Sequence, residues 1–382
     1  MTVSPQLMTG EHIQDIKDTL GITLLDLHWV TGIKSFSSPK EKWKMTGERA
    51  KIPIPTPSLT LLIRYLLKHG DEGLLPRMPS GAEVWETILP YCKDVPEIGD
   101  PSLAKFGLLL GVGQGGPTDW RHAKRSPRLG IQRLLYLLNT IVKKDGARAL
   151  QRYCEVVTEE ARARGIDGIP GLFEDGSWHS ETFAAKYQDP NVPVPEGLIT
   201  NYKLNSLKET LGLVWWDFIW LTGRASYLRK WKVHGEELFR PKVHPTTCIL
   251  VRYLLRYFED SYAPEFPTYF DIIDTLEQLQ VEANKQGIEP PFKKITGRQI
   301  GPLFGISGWG LNQYKNGRNK PSPMVSHLFF ILKKVIERKG RKGFDQYFNV
   351  VKEEILAREL GDYENVVKSG WASRAFKKKY YS

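Results

Sequence analysis

An all-α fold made of two tandem copies is predicted by three observations. Apolar residues recur at helical spacing throughout, and no stretch alternates convincingly as a strand does. Residues 16–32, IKDTLGITLLDLHWVTG, return at 207–223 as LKETLGLVWWDFIWLTG, with 8 of 17 positions identical. Between the copies lies 189–197, DPNVPVPEG, whose three prolines oppose helix and favour a stiff, extended connector.

The correspondence continues along the chain. Arg64-Tyr65-Leu66-Leu67 recurs as Arg252-Tyr253-Leu254-Leu255, Leu109-Leu110-Gly111-Val112 as Leu303-Phe304-Gly305-Ile306, and Gly176-Ser177-Trp178 as Ser369-Gly370-Trp371. A repeat of about half the chain exceeds the roughly 20–50-residue period of stacked-repeat proteins. It therefore reads as a duplicated domain.

In the first copy Ile13, Ile16 and Leu20, then Leu24, Leu27 and Val30, fall on helix faces, and a longer helix should end in the Arg64-Tyr65-Leu66-Leu67 segment. Proline turns at Pro76 and Pro79 lead to a bridging helix around Val84–Tyr91. The second copy repeats this order. Leu204, Leu207 and Leu211, then Phe218 and Leu221, are followed by Pro264 and Pro267, a bridge over Tyr269–Ala283, and long helices over Ser326–Lys339 and Phe344–Glu359. Four helical modules joined by helical linkers result: A1 (1–75), A2 (76–190, with C-terminal helices), B1 (191–262, after the linker 189–197) and B2 (263–382, with C-terminal helices).

A chain of 382 residues with 41% hydrophobic residues can build ordinary cores. It has no apolar run near the roughly 18 residues that span a bilayer, and Met1–His12 carries neither the basic start nor the apolar core of a signal sequence. The expectation is a cytoplasmic protein. Cys92, Cys154 and Cys248 are scattered and odd in number, so they read as core thiols and not as a disulfide framework or zinc knuckle. Net charge is +11, which favours an anionic partner. Residues 1–190 hold 24 Lys and Arg against 23 Asp and Glu, whereas 191–382 hold 30 against 20. Nearly all of the excess thus belongs to the second copy.

Residues 299–321, QIGPLFGISGWGLNQYKNGRNKP, have the spacing of a helix-turn-helix. A short helix should end at Gly305, Ser307 should cap a second helix, and Leu311 and Tyr314 should point back into a core. That second helix would project Gly308, Trp309, Asn312 and Gln313. Asn and Gln suit bidentate pairing with adenine, and Lys315, Asn316, Arg318, Asn319 and Lys320 suit phosphate contacts.

The segment resembles the helix-turn-helix of phage-repressor regulators of the Cro/C1 type. Gly305-Ile306-Ser307, Tyr314-Lys315-Asn316-Gly317 and Pro321 carry the resemblance in B2. In B1 it is carried by Leu211-Gly212-Leu213, Asp217, Leu221-Thr222-Gly223 and Arg224-Ala225-Ser226-Tyr227-Leu228-Arg229-Lys230-Trp231, with the aromatic one residue early. A1 departs further, being two to three residues longer between Gly32 and Trp43. In A2 the stretch Gln114-Gly115-Gly116-Pro117-Thr118-Asp119 should shorten the recognition helix, with Pro117 tolerated in its first turn.

The resemblance implies a sequence-specific, double-stranded DNA-binding protein without catalytic role, cofactor or metal, monomeric or dimeric and associated with the nucleoid. Such a protein would regulate transcription or mark a site on a bacterial chromosome, phage or mobile element. DNA contacts would come from Arg224, Ser226, Tyr227, Arg229, Lys230 and Lys232 in B1, and from Ser307, Trp309, Asn312, Gln313, Lys315, Asn316, Arg318 and Lys320 in B2. A1 would add Lys34, Ser35, Lys40 and Lys42, and A2 would add Gln114, Thr118, Arg121 and Lys124. Head-to-tail copies permit a long composite site with direct-repeat geometry.

Blander readings compete. Gly111-Val112-Gly113-Gln114-Gly115-Gly116 fits G-x-G-x-x-G but lacks the strand, helix and acidic residue of a dinucleotide site. The eight histidines form no metal motif, and Asp26 and Asp217 suit caps or ion pairs. Trp29 and Trp220, Trp43 and Trp231, Trp120 and Tyr314, and Trp178 and Trp371 suit core anchors. Lys377–Lys379 is either a solvated end or a phosphate contact. The main alternative is a scaffold in which copy A docks a protein partner while copy B holds DNA. Structured RNA is a third reading, without the aromatic sheet or G-x-x-G loop context that RNA modules display.

Overall fold

A computed structural model describes residues 6–33, 44–121, 125–187, 189, 191–223, 238–242, 244–371 and 373–381. Among them the chain is helical, with no strand; two isolated bridges, Thr9 with Pro53 and Thr200 with Pro241, are the only extended pairings.

Local chemistry explains where the helices begin and end. Thr23 caps Leu24–Thr31 and Asp26 reaches back to it, which assigns Asp26 to a capping box. Ser80 with Glu83 and Thr268 with Asp271 do the same for Gly81–Ile88 and Tyr269–Lys285. Pro57, Pro245 and Pro323 each open a helix, where a missing amide proton costs nothing. The two long C-terminal segments are each broken at a glycine in the same unusual conformation: Gly146 (φ 57°, ψ −133°) inside Leu129–Ala163, and Gly340 (φ 54°, ψ −133°) between Pro323–Lys339 and Arg341–Ala357.

The chain divides into two compact units, one formed by Met1–Pro76 with Pro264–Ser382 and the other by Arg77–Ala263. Residues 189–197, read in sequence as the connector between copies, run inside the second unit. Each unit draws its elements from both halves of the chain.

In the first unit Pro57–His69 packs against Pro323–Lys339 and Arg341–Ala357. Arg64 donates from Nε and Nη2 to the buried Glu354 carboxylate at 3.1 and 2.9 Å, and Arg358 Nε donates to its other oxygen at 2.7 Å. Tyr65 and Tyr347 meet beside them. The second unit holds a matching cluster: Arg252 and Arg164 donate to Glu160 at 2.8 and 2.7 Å, and Tyr253 meets Tyr153.

The expected tryptophan anchors Trp29, Trp220, Trp178 and Trp371 are buried, and Trp120 and Tyr314 are half-buried. Trp43 and Trp231 lie outside the described residues. Trp29 stacks on His327, whereas beneath Trp220 that place is taken by the Arg133 guanidinium, 4.4 Å from the ring. All three cysteines are free and buried, as their sequence context predicted.

Candidate nucleic-acid interface

In the second module of the first unit the whole stretch 296–323 is described. Thr296 caps Gly297–Ile300, which continues as the 3-10 turn Gly301–Phe304. Gly305 then turns the chain at φ 68°, a left-handed conformation that favours glycine. Ser307 starts Gly308–Lys315 by accepting the Gly310 amide at 3.1 Å. A three-residue turn between two helices is the geometry the sequence predicted for Gly305-Ile306-Ser307.

This pair is clamped from behind. Leu311 is fully buried and Phe304 meets Phe329 edge-on at 4.5 Å. Tyr347 donates to the Leu303 carbonyl at 2.9 Å and Tyr363 to that of Gln299. Tyr314 hydrogen-bonds the backbone of Ser322, and burial raises its pKa. That contact draws the 316–320 loop against the end of the helix. Gly317 turns the loop at φ 65°, and the Gln313 carbonyl accepts the Arg318 amide at 3.0 Å.

Of the four projected positions, Gly308 lies in the helix crossing and Asn312, though exposed, leans over its edge. A Cβ on Gly308 would stand 2.6 Å from the Arg298 Cα, so Gly308 lies where the helices cross and not on the outer face. Asn312 is exposed, but its amide oxygen sits 2.7 Å from where a Gly297 Cβ would be, turned back over the first helix. The helices cross closely because glycine occupies both sides, at 297 and 308. Trp309 does project, with 72% of its surface exposed, and Gln313 is half-buried beside it. The Ser307 oxygen is engaged as a cap by the Gly310 amide.

Along the chain on either side of this helix the charge is of one sign, although Tyr269–Lys285, with exposed Asp274, Glu277 and Glu282, packs against it. No Asp or Glu occurs between Glu289 and Glu337, while Lys293, Lys294, Arg298, Lys315, Arg318 and Lys320 are exposed within that run. Lys315, Arg318 and Lys320 meet no carboxylate among the described residues. Lys293, Lys294 and Arg298 were missed by motif reasoning, which looked only after the turn; the acid-free run was the signal that could have found them.

No family model, curated protein or solved structure matches the chain.

The corresponding A2 segment is smaller. Leu103–Leu109 leads through Gly111 (φ 73°) into Gly116–Arg121, six residues against eight in Gly308–Lys315. Thr118 is exposed, while the Gln114 amide lies against Gly176, 2.5 Å from where a Cβ would stand. Asp119 adds a carboxylate to this helix and faces Arg125 at 3.9 Å. Lys34, Ser35, Lys40 and Lys42, Arg224, Ser226, Tyr227, Arg229, Lys230 and Lys232, and Lys124 lie outside the described residues, as does the side chain of Arg121. Among the described residues no group of His, Cys, Asp and Glu could hold a metal ion, and no helix is long and apolar enough to cross a membrane.

Proposed function

We propose that this protein binds double-stranded DNA sequence-specifically through helix-turn-helix modules, without catalysis, to regulate transcription or mark a site. The observation that carries the reading is the helix Gly308–Lys315, set behind a tight glycine turn and followed by the exposed cations Lys315, Arg318 and Lys320 within 47 consecutive residues, 290–336, that contain no acid. A helix held rigidly from behind, with an exposed aromatic and amide on its face and Lys315, Arg318 and Lys320 at its end, suits base edges flanked by phosphates. The tandem duplication belongs to the same reading, supported by the 16–32 and 207–223 match and by the paired Arg-Glu-Arg clusters.

The test is selection from a random duplex library at about 150 mM salt, a concentration at which non-specific phosphate binding is weakened. Enrichment of a defined motif is expected. Trp309→Ala with Gln313→Ala should abolish discrimination between cognate and random DNA while leaving the salt slope nearly unchanged, since phosphate contacts set that slope. Equal loss on both DNAs would make those two residues structural.

A protein-docking role is favoured locally for A2 by its six-residue helix and by Asp119, a like charge to phosphate. An acid introduced at Thr118 (Thr118→Glu) that leaves DNA selection intact would support that division of labour.

A further inference from the structure

The glycines at the turns also reveal how modules meet within a unit. In the unit of Met1–Pro76 and Pro264–Ser382, Gly32 ends Leu24–Thr31 at φ 63° and faces Pro323, the first residue of Pro323–Lys339; a Cβ there would stand 3.0 Å from the proline Cβ. Gly305 faces Pro57 and Ser58, the first residues of Pro57–His69, and its Cβ would stand 2.2 Å from the Ser58 amide. Ser58 Oγ also donates to the Gly305 carbonyl at 3.3 Å. The turn of each module thus seats on the start of a helix of the other, Pro323–Lys339 for Gly32 and Pro57–His69 for Gly305, and those two helices pack together.

Such mutual exchange is the mark of an isologous contact, in which one surface meets its own likeness about a two-fold axis. Here the two surfaces belong to one chain. The unit Arg77–Ala263 repeats the arrangement: a Cβ on Gly223 would stand 2.5 Å from Gly130 N, and one on Gly111 would stand 2.3 Å from Thr246 N. Thr246 Oγ1 donates to the Leu110 carbonyl at 2.8 Å, and Leu129–Ala163 packs on Pro245–Arg256.

We infer that each unit is a two-fold pair of modules taken from opposite halves of the chain, A1 with B2 and A2 with B1, and that DNA engaged by both modules of a unit carries inverted half-elements. This rests on the DNA-binding reading above. The dyads of duplex DNA lie across its axis, so modules related by a two-fold meet half-sites of opposite polarity. Direct repeats would need modules related by translation, which leaves no reciprocal contact between their turns.

Two readouts on the full-length protein separate this inference from the reading beneath it. Library selection should enrich inverted half-elements, and Gln313→Ala with Lys315→Ala should erase one half of one inverted pair while keeping its mate. Enrichment of direct repeats would overturn the inverted geometry and leave DNA binding standing. No enrichment by a folded protein would remove the DNA-binding reading and the inverted site together. The pairing itself is read without DNA, by inserting a protease site at 192–194 and cutting the native protein. The two pieces should stay together at the mass of the intact chain, 43.7 kDa, on nanomolar dilution. Separation into half-mass species would overturn the pairing.

Discussion

At the scale of single residues, His327 and the turn glycines are the most exposed to test. His327 is fully buried against Trp29, its Nδ1 donates to the Val30 carbonyl at 2.7 Å, and burial brings its pKa down to about 4. An unfolded histidine titrates near 6.5, so the unfolded chain binds the extra proton first. Stability should be full above about pH 6.5 and fall by about 3 kcal/mol as pH drops through 4, a contribution absent from His327→Gln. Urea midpoints at pH 7 and pH 5 for both proteins would check this. Trp220 sits instead on the Arg133 guanidinium.

Gly305 and Gly317 form a controlled pair. Both have φ near +65°, but a Cβ on Gly305 would collide with the Ser58 amide, whereas one on Gly317 meets open space. Gly317→Ala should cost about 1–2 kcal/mol of left-handed strain. Gly305→Ala should cost more, because backbone must also move, and the difference between the two thermal denaturation curves measures the close approach. From sequence, Gly305 was legible as a turn; that another part of the chain rests on it was not.

At the scale of elements, the presence of a helix was more readable than its first residue: the bridge expected from Val84 begins at Gly81, and the long helices expected from Ser326 and Phe344 begin at Pro323 and Arg341. The Ser80-x-x-Glu83 and Thr268-x-x-Asp271 boxes and the prolines at 57, 245 and 323 are local signals, and local signals survive folding unchanged. The long helices expected over Ser326–Lys339 and Phe344–Glu359 appear as Pro323–Lys339 and Arg341–Ala357. The face presented by a short helix was harder to read. Gly308 and Asn312 lie on the arc a helical wheel would call solvent, yet the crossing with Gly297–Ile300 is close enough to cover part of it. Wheel reasoning assumes a neighbour at ordinary spacing, and two facing glycines remove that spacing. A bulky residue at 297 should push the helices apart and swing Trp309 away; Gly297→Val is expected to weaken cognate binding at least tenfold while helix content by circular dichroism stays near that of the parent.

At the scale of the molecule, the sequence repeat divides the chain at one place and the packing divides it at two others. Periodicity and identity report which segments are alike and carry no information on which of the like segments touch. Pro76 and Pro264 were visible as turns, but their standing as unit boundaries depends on long-range contacts such as Arg64 with Glu354. That contact predicts a local effect. Glu354→Gln would leave Arg64 and Arg358 buried without their carboxylate, a loss of about 3–5 kcal/mol. Hydrogen exchange should accelerate in Pro57–His69 and Arg341–Ala357, with Leu129–Ala163 unaffected.

The crossed order has a consequence for synthesis on the ribosome. Arg77–Ala263 is continuous and can close as soon as its last helix emerges. Met1–Pro76 must wait for all 187 residues of that unit to be made before its mate at Pro264 even begins. At about 5–20 residues per second the delay is roughly 10–40 s. Throughout it, the sides of Leu24–Thr31 and Pro57–His69 that later meet Pro323–Lys339 and Arg341–Ala357 stay uncovered, which makes the nascent N-terminal segment a natural client for a holding chaperone.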